Sequence, residues 1–170
     1  LSPRPPPVLH ADCVPPEGLA VVNENWGRFR QAEAGNNRPG EFTWFVGYEW
    51  QSHQWCHLWV VSCADDQPMY CARTLGDLQD HFRGTPTILG AHHTAYDGGV
   101  DWANFDEELS PVVEIFSEHG CSERDIGPFP MLGHSGGQGA SEFTLQHGMA
   151  GGKRFGFTAR HDTHYGYPGT

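Results

Sequence analysis

Two residues near the end of the chain, Asp162 and His164, have the types and the spacing of metal ligands. They follow a short run at residues 155–159 that contains apolar residues, and a turn rich in Gly and Pro comes next. Residues two apart in an extended strand point to the same face, so a carboxylate and an imidazole can share one space. These are the ligand types that hold Zn, Mn or Fe. An Asp-x-His pair alone is a weak signal, and its value depends on what the rest of the chain supplies.

Four apolar runs of the sequence each end in side chains that can bind a metal. The ends are Glu49, the pair His92-His93, the pair Glu118-His119, and Asp162 with His164. Helical or loop segments separate these runs, which is typical of parallel β/α units. In such folds the working residues lie at the carboxyl ends of the strands. The pattern therefore favours one shared polar site over scattered surface histidines.

The elements that must position these residues are short. The sequence pattern predicts helices at 19–34, 74–82 and 140–149, and strands at 42–48, 57–63, 87–91, 111–116 and 154–159. Six prolines among residues 1–18 predict an extended segment there. We expect the remaining residues, 19–170, to form one α/β domain.

Composition argues against several classes of function. The formal net charge of −11 argues against a general nucleic-acid binder or a binder of anionic membranes, because either would need clustered Lys and Arg. No apolar run is long enough to span a membrane. The five cysteines lack Cys-x-x-Cys spacing, which argues against a zinc ribbon. Eleven histidines alongside the acidic residues are the main compositional hint of metal binding, and bound divalent ions would still admit a phosphate substrate.

Two features of the predicted strands bear on how the site is built. His92 and His93 are neighbours, so we expect one to point inward and the other away. Glu114 lies within an apolar run, where a buried carboxylate needs a partner. It either orients a ligand histidine or forms an ion pair with Arg154 or Arg160.

Five short sequence motifs follow one another along the chain between residues 45 and 169. They are Phe45-Val-Gly-Tyr-Glu-Trp50, Gly90-Ala-His-His93, Asp101-Trp102, Val113-Glu-Ile-Phe-Ser-Glu-His-Gly120 with Glu123, and Gly156-Phe-Thr-Ala-Arg-His-Asp-Thr-His164 with Tyr167-Pro-Gly169. In this order they resemble a branch of the PHP (polymerase and histidinol phosphatase) superfamily, a group of large bacterial proteins. The resemblance covers residues 20–170.

The resemblance implies a partial PHP-like domain, that is, part of a distorted (β/α)7 barrel of parallel strands. It also implies two or three divalent ions (Zn, Mn or Fe) at the carboxyl ends of the strands, and family members commonly hydrolyse phosphate esters. By the same resemblance Glu49 is the bridging glutamate, and Glu49 and Asp162 are the candidate catalytic residues. The implied metal ligands are Glu49, His92 or His93, His119, Asp162 and His164.

The sequence departs from the family at its start. The family opens with a His-x-His motif on its first strand, and this chain has none before Glu49. The segment Gly40-Glu-Phe42 matches the run before the family's glutamate, so we expect the chain to be an internal fragment. Asp162 and His164 would then lack their partners, and open barrel edges would invite self-association or pairing with another chain. One ion would still be held by Glu49, His92 and His119.

With the resemblance, these observations predict that the intact protein is a metal-dependent hydrolase, foremost a phosphoesterase that attacks a small-molecule phosphate ester with metal-activated water, and that this chain carries an incomplete form of the site. Arg160 is the candidate for contacting the substrate oxygens. The alternative is a binding or assembly module that has kept a PHP-like scaffold and lost catalysis. A third reading is metal-dependent hydrolysis of another bond, such as an amide, because a metal-activated water serves both reactions.

Overall fold

The computed structural model describes residues 16–52, 54–96, 98–124 and 141–163. These residues form three α-helices, a short 3-10 helix at Ser141–Phe143, and six strands. The helices are α1 (Pro16–Asn36), α2 (Leu75–Phe82) and α3 (Leu145–Ala150). The strands are β1 (Val46–Trp50), β2 (Leu58–Ser62), β3 (Thr87–Ala91), β4 (Val112–Ser117), β5 (Gly120–Cys121) and β6 (Gly156–Ala159).

The strands form a mixed, open sheet in the order β1-β2-β3-β4-β5, and β6 pairs with β4. The predicted α/β class is therefore confirmed. β4 is parallel to both β3 and β6, so these three strands end at the same edge of the sheet. The described residues do not show a closed barrel of parallel strands, since β5 runs antiparallel to β4. In that hairpin, which was not predicted, Ser117 pairs with Gly120, whose φ of 116° is readily available only to glycine.

Several element boundaries differ from the predicted ones for local reasons. Helix α1 begins at Pro16, although residues 1–18 were predicted to be extended, because proline is well tolerated in the first turn of a helix. The remainder of that segment, residues 1–15, lies outside the described residues. Phe42 bridges to Arg38 in a tight turn and does not begin the strand predicted at 42–48. Helix α3 begins after Thr144, whose hydroxyl accepts a hydrogen bond from the His147 amide at 3.3 Å.

The chain divides into two compact units, each with its own buried core. The first comprises Leu1–Trp50 and Trp59–Ile88, and its fully buried side chains include Leu78 and Phe82 of α2. Two aromatic side chains of β1 bond to the segment before α2: Trp50 Nε1 donates to the Ala72 carbonyl at 2.8 Å, and the Tyr48 hydroxyl donates to the Tyr70 carbonyl. These contacts fix β1 against the segment that precedes α2.

The second unit comprises Gln51–Leu58 and Leu89–Thr170. Helix α3 packs closely in this unit, because a Cβ at Gly148 would lie 2.8 Å from ring atoms of Trp102. The Trp102 ring in turn stacks on Phe155, which precedes β6, with 5.2 Å between the ring centroids. The apolar packing therefore holds β6 beside β4, and the residues that follow β3, β4 and β6 meet in this unit.

Candidate metal centre

The residues that follow β3 form the first part of the site. His92 and His93 are both buried, at 3% and 8% exposure, and their ring centroids lie 3.4 Å apart. The expectation that one of them would point away is wrong. Strand β3 ends at Ala91, and His93 adopts a φ of 52°, so the alternation of an extended strand no longer applies. Both Nε2 atoms therefore face Asp162 Oδ2, at 3.6 Å for His92 and 3.2 Å for His93.

Strand β4 supplies a buried carboxylate to the same space. Glu114 has a side chain that is 2% exposed, and its oxygens lie 3.1 and 3.2 Å from His92 Nδ1. Arg160, which follows β6, donates from Nε to Glu114 Oε2 at 3.0 Å. Both predicted partners of this carboxylate, a histidine and an arginine, are therefore present. Burial alone would raise the pKa of Glu114, but the His92 hydrogen bond and the nearby positive charges outweigh it and hold the pKa below its usual value.

His119 and Asp162 complete the cluster from two further turns. His119 lies in the two-residue turn between β4 and β5, and its amide donates to Ser117 Oγ at 3.2 Å. Its Nε2 lies 2.8 Å from Asp162 Oδ2. Asp162 adopts a φ of 56°, and Asp162 and His93 are the two non-glycine residues with positive φ in the described part of the chain. Backbone strain of this kind is concentrated at functional sites.

The cluster has the spacing of a metal site. One ligand atom from each of His93, His119 and Asp162 lies within 4.8 Å of the others. Two ligand atoms that each lie about 2.0–2.1 Å from a tetrahedral ion are about 3.3 Å apart. The distances of 2.8 and 3.2 Å from Asp162 Oδ2 to the two imidazole nitrogens are close to that value. These three groups could therefore hold a metal ion.

Two polar atoms of the cluster also lack hydrogen-bond partners among the described residues. They are Asp162 Oδ2 and His93 Nδ1, and both are buried. Burial and the neighbouring histidine charges lower the pKa of His93 to about 3, against the opposing effect of Glu114. His93 is therefore neutral at physiological pH, which is the form that binds a metal. A buried carboxylate oxygen that is surrounded by imidazole nitrogens and makes no well-directed hydrogen bond is compatible with a bound ion.

The predicted site residues are distributed unevenly over the structure. The second unit brings together His92, His93, His119, Asp162 and, through Glu114, Arg160. Asp162 was expected to lack partners, and it has three histidines around it. Glu49 lies in β1 of the first unit with an exposed side chain, and its role stays a prediction. His164 lies outside the described residues.

Comparison with known proteins does not assign this chain to a family. No family model matches the sequence, and no significant similarity to a curated protein or to a solved structure was found. Among the described residues, no helix has both the length and the apolar character that a membrane span requires.

Proposed function

We propose that the protein is a metal-dependent hydrolase whose substrates are small phosphate esters. The observation that carries the proposal is the convergence of three imidazole Nε2 atoms on one buried carboxylate oxygen, Asp162 Oδ2, which has no hydrogen-bond partner among the described residues. His93, His119 and Asp162 would hold the ion. A divalent ion bound there would lower the pKa of a coordinated water and neutralise charge on a phosphate group.

The charge of the residues near the cluster determines whether a phosphate ester can bind there. The chain carries a net charge of −11, so a phosphate ester would be repelled unless positive charge were concentrated locally. Arg160 supplies a fixed guanidinium beside the cluster, and its side chain is 39% exposed, so it can also reach solvent. We assign Arg160 to contact with substrate oxygens as well as with Glu114, because a guanidinium has five donors.

The proposal also includes what the resemblance implies. In this view the sheet would be part of a PHP-type (β/α)7 barrel, the intact site would hold two or three ions of Zn, Mn or Fe, and Glu49 would be the bridging glutamate that the resemblance implies. The location of the cluster at the carboxyl ends of parallel strands β3, β4 and β6 supports this view. The catalytic assignments of Glu49 and Asp162 belong to this proposal.

Hydrolysis of p-nitrophenyl phosphate tests the activity. Protein stripped with a chelator should be inactive and should regain activity when Zn, Mn or Fe(II) is added. Asp162→Asn should remove the activity, whereas Asp80→Asn, the same change on the exposed surface of α2, should not. Equal hydrolysis with and without metal would contradict the proposal. Metal binding without hydrolysis of any ester would support the alternative of a binding or assembly module.

A further inference from the structure

Glu114 is the point at which the separate parts of the metal cluster are joined. Its carboxylate lies beside His92 Nδ1, accepts a hydrogen bond from the His93 backbone amide at 3.4 Å, and accepts another from Arg160 Nε at 3.0 Å. We propose that Glu114 is a positioning residue that holds His93, a ligand of the proposed ion, and its neighbour His92 in place beside the metal site, with Arg160 securing the carboxylate. The metal-binding half of this proposal rests on the function proposed above.

Strand pairing places Arg160 beside Glu114. Glu114 is in register with Thr158 of β6, and Arg160 follows two residues later, where its amide donates to the Phe116 carbonyl at 3.1 Å. The register shifts between Glu114 and Phe116, so β6 and the residue after it stay beside the carboxylate. The parallel pairing of β4 and β6 thus places the guanidinium next to Glu114 Oε2, beside His92 Nδ1.

Glu114 also contacts the backbone of His93. A positive φ, here 52°, is unfavourable for a residue with a side chain. The hydrogen bond from the His93 amide to Glu114 Oε1 helps to hold this conformation. Without it, the alternation of an extended chain would separate His93 from His92. Glu114 thus helps to keep both rings on the same side.

The Glu114 carboxylate also lies beside the ring of His92. An ionised carboxylate only accepts hydrogen bonds, and both oxygens of Glu114 lie within 3.2 Å of Nδ1. The proton therefore lies on Nδ1, and the lone pair of Nε2 faces Asp162. Arg160 Nη2 also lies 3.1 Å from Nδ1. If Nδ1 were instead unprotonated and accepted a hydrogen bond from Arg160, the His92 proton would lie on Nε2. That result would contradict the tautomer proposed here.

A measurement on the metal-free protein tests the tautomer without reference to function. Long-range proton–nitrogen NMR spectra of protein labelled with nitrogen-15 in histidine show which ring nitrogen carries the proton, and His92→Gln identifies the His92 signals. We expect the His92 proton on Nδ1. A proton on Nε2 in the wild-type protein would refute the positioning role, even if the protein binds metal.

Zinc affinity, measured by competition with a chelating dye, tests whether Glu114 supports metal binding. Glu114→Gln should bind zinc about 10–100-fold more weakly, as is usual for the loss of a residue that orients a metal ligand. Glu107→Gln, the same change on the surface of the same unit, should have no effect. The visible spectrum of the cobalt-substituted Glu114→Gln protein should also change, because His92 and His93 would be oriented differently.

Two arginine variants keep the test decisive if Glu114→Gln does not fold. Arg160→Gln should weaken zinc binding, and Arg160→Lys should restore part of it because it keeps the charge. Unchanged zinc affinity and cobalt spectra in folded Glu114 or Arg160 variants would show that the pair is merely structural. Absence of metal binding by the wild-type protein would instead reject the proposed function, and the NMR result on His92 would still stand alone.

Discussion

Asp162→Asn should remove most of the stabilisation that zinc confers on the folded protein. The substitution keeps the shape of the side chain and replaces a charged oxygen by an amide group. Asp162 Oδ2 is the atom on which the imidazoles of His92, His93 and His119 converge at 3.6, 3.2 and 2.8 Å. Its loss therefore removes the charged ligand and leaves only neutral ones.

The size of the effect follows from mass action. A ligand present at 100 times its Kd stabilises the fold by about 2.7 kcal/mol. For a chain of 170 residues each kcal/mol raises the Tm by about 2–4 °C, so zinc should raise the wild-type Tm by about 5–11 °C. If Asp162→Asn weakens binding by about 100-fold, the same zinc concentration adds only about 0.4 kcal/mol. The Tm of the variant should then rise by about 1 °C.

The assay is thermal unfolding of chelator-treated protein in zinc-buffered and zinc-free solution. Asp80→Asn is the matched control, because Asp80 is exposed on α2 and should leave the full zinc-dependent shift in place. Retention of the wild-type zinc-dependent shift by folded Asp162→Asn would refute the role of Asp162 as a metal ligand. This role would equally be refuted if the wild-type protein showed no shift at saturating zinc.

Two further predictions concern the packing around Gly148 and the ionisation of Tyr48. Gly148→Ala should lower the free energy of unfolding by about 1–3 kcal/mol, because the new Cβ would lie 2.8 Å from the Trp102 ring. Gly27→Ala in helix α1 should raise the free energy of unfolding by up to about 1 kcal/mol, because a Cβ there would have no atom within 4 Å. Urea unfolding measures both, and equal effects would contradict the packing argument. Burial raises the pKa of Tyr48, which donates to the Tyr70 carbonyl, so the unfolded state alone loses this proton above about pH 10. Stability should therefore fall as pH rises above about 10 in the wild-type protein, and Tyr48→Phe should reduce this slope in urea titrations at several pH values.

The sequence predicted the parts of the site that depend on strand ends. His92, His119 and Asp162 were identified because polar residues that follow apolar runs gather at one edge of a parallel sheet. β3, β4 and β6 are parallel neighbours, so these residues do meet. This part was predictable because it depends only on where apolar runs end and on strands running in the same direction, and a single sequence indicates both.

The parts that were not predicted depend on backbone conformation at single residues. The inward position of His93 results from a φ of 52°, and no glycine or asparagine marks that position in the sequence. The hairpin that carries His119 results from Gly120, which the sequence pattern did not distinguish from the many other glycines. For Glu114 a signal was present, since a carboxylate within an apolar run needs a partner, but only the coordinates show that His92 and Arg160 both contact it.

The central claim is that Asp162 and the histidines around it hold an ion. Anomalous diffraction from crystals grown with zinc tests it most directly. The account predicts an ion about 2.0–2.2 Å from Asp162 Oδ2 and from imidazole nitrogens of His93 and His119. A zinc ion bound only elsewhere on the protein, with Asp162 Oδ2 still in contact with the histidines alone, would contradict it.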